Sequence, residues 1–236
     1  MTEQLGVQEA IARDHIEVGT QMFFAITDVP DDEWHKVRVE CGMPEWAERE
    51  GWCFEYHEPQ AGIIQLPGWD APKPAIYGSQ ANGVVNLGLQ MALDRLIGTG
   101  PAALSNIGIA SDNTAVTAAT VFLGGAAAAI LSGGTQNGFI RAFAPAASRS
   151  NQVLTAGATF TQADMSGAAF VIHKVGLLNA STDAGTGLGA GPASGIFDVI
   201  GGSGGSAPFN QPFTLDLTSV TTWSLLLQIN VTAANS

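Results

Sequence analysis

Residues 221–233 read TTWSLLLQINVTA. Trp223, Leu225, Leu227, Ile229 and Val231 fall on one parity, Thr222, Ser224, Gln228, Asn230 and Thr232 on the other, and Leu226 alone breaks the pattern. Side chains alternate faces along a strand, so this spacing predicts a β-strand with one apolar face and one face of hydroxyls and amides. Working back along the chain, short runs rich in β-formers recur between turn residues at 105–111, 117–125, 139–146, 152–161, 168–180, 195–201 and 212–219. Strands at that spacing predict a mainly β protein, an antiparallel β-sandwich or jelly roll. One helix is expected within 82–98, where Val85, Leu89, Leu93 and Leu96 recur at helical spacing and Gly98 stands as a stop. A second, less regular amphipathic helix is expected over 7–18, carried by Val7 and Ile11.

Composition sets limits on function. Charged residues make up 13% of the 236-residue chain, and there are 29 glycines, a balance that suits strands and tight turns. A formal net charge of −12 with no basic run argues against nucleic acid as a partner, because phosphate binding needs a surplus of Lys and Arg. The apolar run 121–131, VFLGGAAAAIL, is too short to span a bilayer, so no membrane partner is expected. Two cysteines are too few for a disulfide scaffold, and the first residues carry Glu3, Glu9 and Arg13 where a signal peptide would be apolar. Synthesis in a reducing cytoplasm is the expectation.

Charge is unevenly distributed. Residues 1–75 hold fifteen acids against five bases, a net of −10, and residues 76–236 hold six against four, a net of −2. Four of the five tryptophans, Trp34, Trp46, Trp52 and Trp69, lie in the first part. The segment 62–78, GIIQLPGWDAPKPAIYG, reads as an extended strap, since Pro67, Pro72 and Pro74 fix φ and remove donors. The chain is therefore divided into an acidic, Trp- and Pro-rich anchoring segment, 1–81, and a β-sandwich domain, 82–236, which is expected to fold without it. An extended segment gains most by burying its apolar groups on a partner, which makes Trp52, Ile63, Ile64, Leu66, Trp69 and Ile76 the candidate partner-binding residues.

Chemical motifs are sparse. His35, Cys41, Cys53 and His57 have the ligand types of tetrahedral zinc, but they lack the tight Cys-x2-Cys pair, and packed cysteines are expected in preference to a metal site. GTGLGAG at 185–191 has no following helix signal, and GGSGGS at 201–206 lacks the Lys-Ser/Thr of a phosphate loop, so both read as turns and no cofactor is expected. His173 stands in an apolar run with no serine or acid cue beside it. The acidic groups Asp31, Asp32, Glu33 and Glu45, Glu48, Glu50 lack calcium-loop spacing and read as solvated turns. No catalytic residue is assigned, and no enzymatic activity is expected.

The order of phrases GLQMALDRLIG, SNIGIASDNTA, ATFTQAD, FVIHKVGLLNAS and TTWSLLLQINVT resembles small structural proteins of tailed bacteriophages. In that class a strand ending "(I/V)xxVGLxN" precedes a Gly-rich loop and a terminal "TxTWxLxxxI" strand. The matching positions here are Ile172, Val175, Gly176, Leu177 and Asn179, then Thr222, Trp223, Leu225 and Ile229. The resemblance covers about 82–236 and implies a virion component that contacts other virion proteins and copies of itself. Because no heptad, collagen-like or β-helical shaft is visible, a capsid decoration or cement protein is expected before a tail, baseplate or fibre-anchoring adaptor. A carbohydrate-binding module for a host glycan, built on the tryptophans, is the alternative from another class.

Overall fold

The structure, a computed structural model, describes residues 16–41, 60–64, 71–96, 98, 103–121, 123, 138–143, 147–165, 171–179, 196–203 and 212–235. In chain order the elements are β1 (Ile16–Thr27), β2 (Arg38–Cys41), β3 (Gln60–Ile64), β4 (Ala71–Gly83), α1 (Asn86–Leu96), β5 (Asn106–Ala110), β6 (Gly138–Ala142), β7 (Ser148–Ser150), β8 (Val153–Thr161), β9 (Lys174–Leu178), β10 (Ile196–Gly201), β11 (Phe213–Asp216) and β12 (Ser224–Asn235). The protein is mainly β with antiparallel sheets, and α1 is its one α-helix among the described residues.

The alternating stretch forms β12. On one side it pairs with β1 from Ser224↔Thr27 to Asn235↔Ile16, and on the other with β8 from Ser224↔Thr161 to Thr232↔Val153. Leu225, Leu227 and Ile229 are fully buried, as their parity predicts. Leu226 turns to the opposite face, where it packs with Ala25 and Phe23 in a small separate cluster. β12 and β1 are interior strands of a six-stranded sheet ordered β3-β4-β1-β12-β8-β7. A second sheet, ordered β10-β9-β5-β6, and a β2/β11 ribbon complete the β structure.

One apolar cluster joins these layers. It draws Met22, Phe24 and Ile26 from β1, Phe160 from β8, Ile107 from β5, Leu177 from β9 and Leu215 from β11. Direct contact between the two larger sheets is made by Phe139 on β6 and Phe160 on β8, edge to face with ring centroids 5.9 Å apart. Phe24 meets Phe213 of the ribbon at the same separation, 5.9 Å. Each such side chain is worth roughly 1.5–3 kcal/mol in transfer from water, so β1 is a principal contributor to the core.

β1 comes from the acidic side of the compositional boundary and β12 from the neutral side, yet the two share a sheet and a core. Of the helix expected over 7–18, residues 16–18 are described, and they begin β1: Ile16, Val18 and Thr20 are β-branched and have cross-strand partners, which a pleated surface accommodates better than a helix. The expected strap is extended, but it is paired: Gln60–Ile64 and Ala71–Ala75 form antiparallel partners. Pro72 and Pro74 fall in the part of β4 that lies beyond its pairing with β1, which ends at Ile76↔Ile26, so no ladder bond to β1 is forfeited there. Seven of the eight expected strands correspond to β5, β6, β8, β9, β10, β11 and β12. The expected strand at 117–125 is absent from its described residues, where Thr117 and Thr120 close a turn by mutual hydrogen bonds.

The helix is present but rotated relative to expectation. Val85, Leu87 and Met91 pack into a second cluster with Ile196 and Val199 of β10, whereas Leu89 and Leu93 are 43% and 63% exposed. Gly88 explains the rotation, since a Cβ there would lie 2.1 Å from the carbonyl oxygen of Phe197. The helix rests its glycine on the strand, and the leucines one and five positions on are carried away from it.

Candidate functional site

A cluster of polar side chains lies at one end of the four-stranded sheet. Asp112 and Thr114 follow β5, His173 and Lys174 open β9, Gly201 and Gly202 close β10, and Thr214 belongs to β11. Ala110 pairs with Lys174 and Gly201 with Lys174, so strand register alone converges these segments.

Lys174 is 1% exposed, and an ammonium in that position must be paired. It forms a salt bridge to Asp112 Oδ2 and donates to Thr114 Oγ1 at 2.8 Å. Thr114 Oγ1 in turn donates to Asp112 Oδ2 at 2.6 Å. Burial pushes the Asp112 carboxyl up, but hydrogen bonds from Lys174 and Thr114, with the charge of Lys174, outweigh it and hold the group below the usual aspartate range. Lys174 therefore spends its donors inside the molecule, and the arrangement locks the loop after β5 to β9. His173 Nδ1 lies 3.2 Å from Thr214 Oγ1, and its backbone bridges two strands, donating to Ala110 O at 2.8 Å and accepting from Gly202 at 2.7 Å.

Gly201 and Gly202 correct the reading of 201–206 as a flexible turn, at least for its first two residues. They are buried, adopt φ of +99° and +78°, and a Cβ would meet His173 O at 2.1 Å or Thr114 O at 2.3 Å. They form a close-packed corner open only to glycine. Sequence reasoning missed the Lys174–Asp112 pair, although a clue was present: a lysine heading the otherwise apolar KVGLL must find a counter-charge.

Two further polar brackets hold loops to strands. Glu33 Oε2 accepts from the N–H and hydroxyl of Thr221 at 2.7 and 2.9 Å, and Oε1 accepts from Lys36 at 2.7 Å. The Lys36 and Thr221 hydrogen bonds lower its pKa to about 2. Glu33 was expected to be a solvated turn residue; it is buried because it fastens the turn before β2 to the entry of β12. Arg141 on β6 bridges the sheets, donating to Thr159 O at 2.7 Å and to Asp164 Oδ1 at 2.5 Å while lying 5.4 Å over the Phe139 ring.

The candidate partner residues are distributed as follows. Ile63 and Ile64 lie on β3, an edge strand of the six-stranded sheet, and Ile76 lies on β4, paired with Ile26. Trp52, Leu66 and Trp69 are outside the described residues. Within the zinc quartet, His35 is in a short 3-10 turn and Cys41 ends β2, while Cys53 and His57 are outside the described residues. Trp34 belongs to the shared core, which removes it from any exposed aromatic platform; Trp46 is not described. No group of three or more His, Cys, Asp or Glu suited to a metal occurs among the described residues, and no described helix is long and apolar enough to cross a membrane. No protein-family model, curated protein or solved structure matches the chain.

Proposed function

We propose that the chain is a non-enzymatic structural component of a tailed-phage virion, an exterior capsid decoration or cement protein with a β-sandwich body. The supporting observation is where the two phrases of the resemblance lie. Val175, Gly176 and Leu177 are on β9, and Leu225 and Ile229 are on β12, interior strands of the two different sheets. Val175, Leu177, Trp223, Leu225 and Ile229 meet in one core cluster. The resemblance thus falls on residues that define a packed body rather than on loops, as expected when what is shared is a building unit.

In this reading the body is a rigid block. Its polar clusters are internal braces, and attachment falls to the acidic segment, with Ile63, Ile64 and Ile76 on the β3–β4 hairpin and Trp52, Leu66 and Trp69 nearby in sequence. The test is to probe gradient-purified particles with an antibody to the chain. It should co-sediment with particles and label the capsid surface; its absence from particles overturns the reading, and label confined to the tail moves it to the adaptor role. Replacing Trp52 and Trp69 together by alanine should leave the circular dichroism of the protein unchanged and abolish incorporation, since each anchor is worth ~2 kcal/mol or more of binding.

A further inference from the structure

We infer that the outer edge of β3 takes up an extended, basic strand from a different protein, which lengthens the six-stranded sheet by one strand. The inference rests on the proposed structural role and names how the β3–β4 hairpin makes its contact. β3 stands at the end of the sheet order, and among the described residues its one strand partner is β4. A strand in that position presents a row of main-chain N–H and C=O groups to an incoming chain.

The prolines of β4 fix which groups those are. Antiparallel partners alternate between pairs that exchange both N–H···O bonds and pairs that exchange none. Pro72 and Pro74 have no N–H to give, so Ile63↔Pro72 and Ala61↔Pro74 are the pairs without bonds, and Gly62↔Lys73 between them carries both. Successive residues of a strand direct their main-chain groups to opposite edges, so the N–H and C=O of Ala61 and Ile63 point away from β4. They form two donor–acceptor sets about 6.6 Å apart, the repeat with which another extended chain pairs.

Nothing in the sequence of β3 guards against such pairing. Sheet edges are ordinarily blunted by proline, by charge or by shortness. At the opposite edge β7 has three residues, all exposed, with Arg149 at its centre. β3 has five residues and contains neither proline nor charge. The stretch before it selects the occupant. Residues 45–58 hold Glu45, Glu48, Glu50, Glu55 and Glu58 against Arg49, and chain connectivity alone keeps Glu55 and Glu58 within about 18 Å of β3. Pairing β3 with β3 of a second copy would bring two such stretches together, which like charge opposes. A strand flanked by Lys or Arg meets the same acids with the opposite sign.

The experiment follows amide hydrogen exchange in the full chain, alone and with the synthetic peptide acetyl-KTVTVTK-amide. In the free chain the Gly62 amide should be protected, and those of Ala61 and Ile63 should exchange as in an unpaired strand. At about ten times its Kd the peptide should slow Ala61 and Ile63 about 10-fold, because roughly one site in ten is then empty. Its affinity should be lower in 0.5 M than in 0.05 M NaCl. The same peptide N-methylated at every central amide keeps its side chains and should not bind, and acetyl-ETVTVTE-amide should bind about 10-fold more weakly. Ile63→Pro gives up a donor that β4 does not use, so it should keep the circular dichroism and lose the peptide; if that variant does not fold, the N-methylated peptide carries the same reading. Protected Ala61 and Ile63 amides in the free chain, or no response to the lysine peptide, overturn the inference, and so does equal binding of the N-methylated or glutamate peptide. A folded Ile63→Pro chain that enters particles at wild-type occupancy overturns this contact alone. A chain that takes up the peptide but is absent from particles overturns the virion reading alone.

Discussion

Lys174 and Asp112 illustrate how a single buried charge constrains its surroundings. Removing Asp112 leaves an ammonium in a closed site with only the Thr114 hydroxyl, and breaking a buried pair from one side typically costs 3–5 kcal/mol. Asp112→Ala should lower stability by about 3 kcal/mol in urea unfolding, whereas Lys174→Met, which keeps the volume and removes the charge, should cost under about 1.5 kcal/mol. The double variant should be more stable than Asp112→Ala alone. Glu33 has a different signature, in pH. Its pKa is lowered in the folded state to about 2, so its contribution is complete above the ordinary glutamate range and is lost as pH falls toward 2. Glu33→Gln should therefore flatten the acid limb of a stability–pH curve between about pH 4.5 and 2, and the difference between variant and wild type should be constant above pH 5.

At the scale of elements, α1 shows where periodicity misleads. Val85, Leu89, Leu93 and Leu96 match the helical spacing, and so do Val84, Leu87, Gly88 and Met91. A helix apolar on two sides has no unique inward face until something selects one. Gly88 makes the selection, because the Phe197 carbonyl of β10 comes so close to it that any Cβ there would clash. Leu87→Ala should consequently cost roughly 2–5 kcal/mol, as burial in a core implies, while Leu93→Gln should stay within about 0.5 kcal/mol, both read by chemical denaturation. β12 presented no such ambiguity, since one parity is apolar and the other polar at all but one position.

For the whole molecule the decisive fact is the position of β1. Dividing the chain at 81/82 by composition expects residues 82–236 to fold alone. A chain beginning at Asn82 keeps β12 but deprives it of β1 along its full length, and takes Met22, Phe24 and Ile26 out of the core. The pairing makes the opposite outcome the expected one: such a truncation should give a disordered circular dichroism spectrum and no cooperative melt, whereas a chain retaining 16–236 should fold. A cooperative transition in the shorter chain would return the boundary to where the charge distribution put it.

Alternation, β-branched composition and turn residues were enough to specify a mainly β, antiparallel chain, to place a helix within 82–98 and to locate most of the later strands, though helical spacing also suggested a helix over 7–18 where residues 16–18 begin a strand. These are local properties, set by which side of each residue meets water. Partnership between distant segments has no local mark: Ile16–Thr27 lies in the acidic part of the chain and pairs with a strand some two hundred residues away. The same holds for the polar clusters, since Lys174 and Asp112 are 62 residues apart and become neighbours only when β5 and β9 align. Which face of α1 is buried, which glycines are packed corners and which strand completes the core were decided by packing, where the cost of an overlapping atom or an unpaired buried charge outweighs any local preference.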